Sequence, residues 1–98
     1  MSKPTVIDFE TEAIAERPDY PPKPVGVAIW EPGAKPFYLA WGHRAGNNNS
    51  TFERAKARLR GIYRSGVDLL FHNAKFDVDV AVTHMGVPML PWQRIHDT

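Results

Sequence analysis

Thr5 to Thr11, in the order Thr-Val-Ile-Asp-Phe-Glu-Thr, is a short apolar run with two carboxylates placed two residues apart. A period of two predicts a first strand over residues 4–10, with Asp8 and Glu10 on the same side of it. Val25 to Trp30 and Pro36 to Trp41 are two further apolar runs, separated by Glu31-Pro32-Gly33-Ala34-Lys35. That spacer has turn chemistry, so the two runs predict an antiparallel hairpin. From Thr11 to Pro24 the prolines at 18, 21, 22 and 24 predict a stiff, extended connector, because each fixes its own φ and biases the residue before it away from helix. Gly42 to Asn49 is polar and predicts a loop.

The period then changes to that of a helix. Ser50-Thr51-Phe52-Glu53 matches a capping box, with Ser50 at the N-cap and Glu53 three residues on. The helix should end near Arg64, where Ser65-Gly66 stops it. Phe52, Ala55, Leu59, Ile62 and Tyr63 share one face, and Arg54, Lys56, Arg58, Arg60 and Arg64 take the rest. Such a basic surface is a solvated outer face or a nucleic-acid contact. Gly61 inside the helix costs about 1 kcal/mol relative to alanine. Val67 to Phe71 predicts a fourth strand, apolar enough to be central and parallel to the first. From Asp77 to Val82 two periods compete: Val78, Val80 and Val82 alternate, whereas Phe76, Val80, Thr83 and Val87 recur at helical spacing. Gly86 followed by Pro88 is a helix stop, which favours helix. A last short strand includes Arg94-Ile95-His96. The expected architecture is α/β: a five-stranded mixed sheet in order 3-2-1-4-5, with strand 2 antiparallel to the others and helices covering the sheet.

Composition narrows this modestly. Ninety-eight residues give one domain, 1–98, with one core. A formal net charge of +1 singles out no partner. The chain has no cysteine, which excludes disulfides and thiolate metal sites. No apolar run is long enough to cross a bilayer and the N-terminus lacks a secretory hydrophobic region. The expectation is a soluble, cytoplasmic protein with no membrane partner.

Asp8 and Glu10 carry the candidate chemistry. Two like charges side by side on a half-buried strand repel and lose hydration. A divalent cation with a preference for hard oxygen ligands relieves both. A solvated acidic face on an edge strand is the alternative. A second acidic motif, Asn73-Ala74-Lys75-Phe76-Asp77, opens the second predicted helix and favours the cation.

Together, Asp8-Phe9-Glu10-Thr11 on a first strand and Asn73-Ala74-Lys75-Phe76-Asp77 after a fourth resemble the first and second motifs of the DEDD 3′–5′ exonucleases. The nearest likeness is to the proofreading domain of family A DNA polymerases, particularly phage-type ones. Tyr20-Pro21-Pro22-Lys23-Pro24-Val25-Gly26 and Ile95-His96-Asp97-Thr98 add to it. The resemblance implies a ribonuclease-H-like fold and two-metal-ion hydrolysis of 3′-terminal nucleotides from single-stranded DNA. It implies Mg²⁺ or Mn²⁺, two ions in the complete domain, held by Asp8, Glu10 and Asp77. It also implies that the Phe9 backbone, Thr11 and Asn73 contact the terminal nucleotide. Ile14 stands where the family places an apolar wedge against the last base, or is a core contact. Asn73 is otherwise a turn residue closing the strand.

The family's third motif, tyrosine-x3-aspartate or histidine-x4-aspartate, supplies a fourth carboxylate and orients the water. No tyrosine here has an aspartate four residues on. His72 and Asp77 have the histidine spacing, but Asp77 already belongs to the second motif. Asp97 matches the family's strand-end aspartate-threonine pair, expected to cap or position a following helix. The chain thus resembles a domain lacking its C-terminal part, with little activity by itself. A polymerase domain would follow it, in a cytoplasmic setting such as a phage-infected bacterial cell. An RNA 3′-exonuclease of the same fold, or a non-catalytic nucleic-acid-binding or interaction domain, are the alternatives. His72, His84 and His96 show no metal-ligand pattern.

Overall fold

A computed structural model describes residues 3–12, 20–44 and 46–98. Five strands, β1 (Thr5–Thr11), β2 (Pro24–Trp30), β3 (Phe37–Ala40), β4 (Leu69–Phe71) and β5 (Ile95–Asp97), form one sheet in the order β3-β2-β1-β4-β5. β2 is antiparallel to both its neighbours, whereas β4 and β5 run parallel to β1. Two helices, α1 (Phe52–Arg64) and α2 (Ala74–His84), connect β3 to β4 and β4 to β5. The predicted α/β class, mixed sheet and strand order are all present. Among the described residues no helix is long and apolar enough to cross a membrane.

Register explains which face is covered. Ile7 lies opposite Ile29 and Phe71, and Phe9 opposite Val27. These side chains join Ala55, Leu59, Ile62 and Tyr63 of α1 and Ala74, Val78 and Ala81 of α2 in a single core. Both helices therefore lie on the Ile7–Phe9 face. Asp8, Glu10, Trp30 and His96 alternate to the opposite face and are exposed. Pairing of β1 with β4 ends at Ile7 and Phe71. Beyond that point β1 continues to Thr11 paired with β2 alone.

The ends of α1 refine the capping expectation. Thr51, not Ser50, is the N-cap: its backbone is extended and its hydroxyl accepts from the Arg54 N–H at 3.2 Å. Moving the cap by one residue leaves Glu53 a position short of the reciprocal contact, so the capping box is not made. Glu53 still places a negative charge in the first turn, where the helix dipole favours it. At the other end Ser65 is the C-cap and Gly66 has φ +82°, a left-handed turn that glycine adopts without strain. The ambiguous 77–82 stretch is helical. Val78, Val80 and Ala81 are all buried, and packing on the sheet selects the helical period over the alternating one.

Residues 20–24 of the proline-rich connector lie along α2. The Tyr20 hydroxyl donates to Asp79 Oδ2 at 2.8 Å, its ring meets Phe76 edge-on, and Pro22 is fully buried. Phe76 is half-buried in that contact.

Candidate metal and nucleotide site

Each acidic side chain is placed by a different device. Asp8 and Glu10 are fixed by the alternation of β1, whose other face carries Ile7 and Phe9 into the core. Between Glu10 and Thr11 the register against β2 slips: Glu10 pairs with Gly26 but Thr11 with Pro24. Such an irregularity re-aims the strand end. Asp77 lies in the first turn of α2, where its N–H makes an early helical bond to the Asn73 carbonyl at 2.9 Å.

Asp77 is the unusual group. It is 3% exposed, and its Oδ2 is buried with no hydrogen-bond partner. Burial pushes its carboxyl up to about 7, and the charges of Asp8 and Asp97 add to the rise. That oxygen lacks both water and a donor, which is a costly arrangement for an anion. The buried Tyr63 of α1 also senses it: burial first, then the Asp77 charge, raise that phenol to about 12, against the pull of Arg94. Asp77 thus sits at the seam between core and acidic surface.

The helix that Asp97 is expected to cap or position would lie beyond Thr98, outside this sequence; within it Asp97 serves α2. Its Oδ1 accepts the Ala74 N–H at 3.1 Å, so it caps α2 from the end of β5. Asn73, the N-cap by position, makes no side-chain cap bond. Thr98 completes the clasp, its N–H donating to the Phe71 carbonyl at 3.1 Å and its hydroxyl lying 3.2 Å from His72 Nδ1. Asp97→Ala should therefore lower stability by about 1 kcal/mol, the usual value of a cap. Asp97→Asn keeps an acceptor oxygen and should lower it less. Urea unfolding of the two variants measures the difference.

Glu10 faces elsewhere. Its Oε2 accepts from the Tyr38 hydroxyl at 2.9 Å and lies 3.6 Å from His43 Nε2. The Tyr38 hydroxyl is itself 2.8 Å from His43 Nε2. Partial burial, the Glu10 hydrogen bond and the charges of Glu10 and Asp8 raise the Tyr38 phenol to about 12. The Asp8 charge adds to the rise of both the Tyr38 phenol and the Asp77 carboxyl. Among the described residues no three His, Asp or Glu side chains form a ready-made metal cluster.

The donor set nevertheless suits a hard divalent cation. Asp8 and Asp77 offer carboxylate oxygens, one of them buried and unpartnered, and the charges of Asp8 and Asp97 act on Asp77. Glu10 joins that set only by leaving Tyr38. Of the residues expected to meet a nucleotide, Phe9 has a buried side chain and offers its backbone alone, Thr11 is half-buried, and Asn73 is exposed. Ile14 lies outside the described residues. His72, His84 and His96 are engaged by Thr98, the Pro21 carbonyl and Asp68.

Tyr38 and His43 were not found from the sequence. One signal existed: Gly26, inside a strand, marks a place where another group comes close. A Cβ at Gly26 would overlap the Tyr38 hydroxyl and ring. No protein-family model and no curated protein matches this chain.

Proposed function

We propose that the chain is the 3′–5′ exonuclease module of a DNA polymerase, with a ribonuclease-H-like fold, acting on the 3′ end of single-stranded DNA. The observation that carries this reading is Asp77: a buried carboxylate with an unpartnered oxygen, in the field of Asp8. Structural ion pairs satisfy their buried oxygens; this arrangement suits a group that expects a cation. The sheet order and the two motifs at the ends of adjacent strands support the same reading.

In this function Asp8, Glu10 and Asp77 hold Mg²⁺ or Mn²⁺. When bound, the cations lower the pKa of the attacking water and stabilise the leaving 3′-oxygen. Thr11 and Asn73 present polar groups to the terminal nucleotide, and the Phe9 backbone lies between the two β1 carboxylates. A third motif that orients the water would complete the site in a longer polypeptide. Without such a group, rates fall by about 10²–10⁴-fold.

The test uses a 3′-labelled single-stranded DNA oligonucleotide with Mn²⁺. The chain should bind it with an affinity that depends on the cation and on a free 3′-hydroxyl, and should cut it slowly or not at all. Asp8→Ala and Asp77→Ala should abolish the cation dependence. An RNA oligonucleotide bound more tightly would transfer the proposal to RNA. Binding indifferent to both cation and 3′ end would leave a non-catalytic nucleic-acid module.

A further inference from the structure

The inference concerns the side chain that the acidic group lacks. Glu10 is on the same face of β1 as Asp8, yet its carboxylate is engaged with β3 and the loop after it. Three features of the fold hold it there. Gly26, opposite Glu10 on β2, has no side chain, so the Tyr38 ring lies across that strand and its hydroxyl reaches Glu10. Asn49 anchors β3 from behind, accepting the Ala40 N–H and donating to the Tyr38 carbonyl, both at 2.8 Å. His43 backs the hydroxyl at 2.8 Å, its own loop fixed by reciprocal bonds to Asn48.

We infer that Tyr38, seated in the gap at Gly26 and backed by His43, is a latch that holds Glu10 away from the cation position. Cation binding at Asp8 and Asp77 draws Glu10 off this latch. The inference rests on the cation reading of the site. Tyr38 is a positioning residue, since it acts through Glu10. Without a cation, the latch spares Asp8 and Asp77 a further like charge beside them. It also makes full coordination conditional on a first cation already being there.

The consequence is measurable without any nuclease assay. Tyr38→Phe removes the hydroxyl and keeps the ring. It should tighten Mn²⁺ binding about three- to tenfold, the net worth of one ordinary hydrogen bond. The gain should vanish in a Glu10→Gln background, because it is transmitted through Glu10. Carboxyl ¹³C NMR of the 98-residue chain supplies the second readout. Adding Mg²⁺ should move the Glu10 carboxyl and the Tyr38 ring carbon Cζ together with Asp8 and Asp77. Gly26→Ala should reproduce the Tyr38→Phe affinity by displacing the ring. If Asp8 and Asp77 respond to Mg²⁺ while Glu10 and Tyr38 do not, the latch is overturned and the cation site stands. Weaker Mn²⁺ binding by Tyr38→Phe would likewise overturn it, showing that Tyr38 aims Glu10 toward the cation. If no carboxylate responds to Mg²⁺, the site reading fails and the latch fails with it.

Discussion

The metal-free protein should lose stability as the pH rises from about 4 to about 7, and Asp77→Asn should remove most of that loss. The Asp77 carboxyl titrates near its ordinary value of 3.8 in the unfolded chain and at about 7 in the folded one. Between those values the folded state binds the extra proton. Raising the pH therefore favours unfolding, by about 1.4 kcal/mol per pH unit, and the loss levels off above the folded value. The full interval amounts to about 4 kcal/mol, a large part of the 5–15 kcal/mol that holds a small domain. Asn at position 77 removes the charge but brings a buried amide donor, which returns about 1–2 kcal/mol of the gain. At pH 8 the variant should be more stable by about 2 kcal/mol, or roughly 8–16 °C in melting temperature. At pH 5 the advantage should shrink or reverse. Mn²⁺ at a hundred times its Kd should stabilise the wild type by about 2.7 kcal/mol and the variant far less. Thermal melts at pH 5 and pH 8, with and without Mn²⁺, measure all four quantities. A wild-type melting temperature that is flat over this range would show that Asp77 is not the strained group.

Phe71→Ala should destabilise the protein by about 3–5 kcal/mol. Phe71 is fully buried, pairs with Ile7 on one side and Asp97 on the other, and its carbonyl accepts from Thr98. The cavity would open beneath the turn from β4 into α2, where the neighbouring strands and helix cannot close it without moving Asp77. Urea unfolding should show the full loss, and Mn²⁺ affinity should fall in parallel in the fraction that stays folded. Leu59→Ala, equally buried on α1, should destabilise by a similar amount while leaving Mn²⁺ affinity of the folded fraction unchanged. That contrast separates support of the site from support of the core.

How much of this was legible follows from the range of each interaction. The alternation of β1, the stripe of α1 and the Gly86–Pro88 stop are local patterns, and the elements formed where they pointed. Sheet order followed from one turn and one handedness rule. Cap placement failed by one residue because Ser50 and Thr51 carry the same hydroxyl chemistry. Only the backbone conformation at Thr51 decides between them. Asp8, Glu10 and Asp77 were visible as chemistry, but not as geometry. That Glu10 faces Tyr38 depends on the register of two antiparallel pairings, which no short window of sequence contains. The bond from Asp97 to α2 depends likewise on the parallel register of β4 with β5.

The clasp between Asp97 and Ala74 has a bearing on biosynthesis. β1 leaves the ribosome ahead of its parallel partner β4, which comes only after the hairpin and α1, and β5 follows after α2. A hairpin can close within microseconds of leaving the exit tunnel, whereas contacts of such long sequence separation form slowly. Asp77 is translated some twenty residues ahead of the side chain that fixes its helix in place. During that interval the nascent chain carries its acidic residues without the strand that holds them together. The frame around Asp77 thus closes only once β5 is made, and until then the nascent chain carries the acidic residues without it.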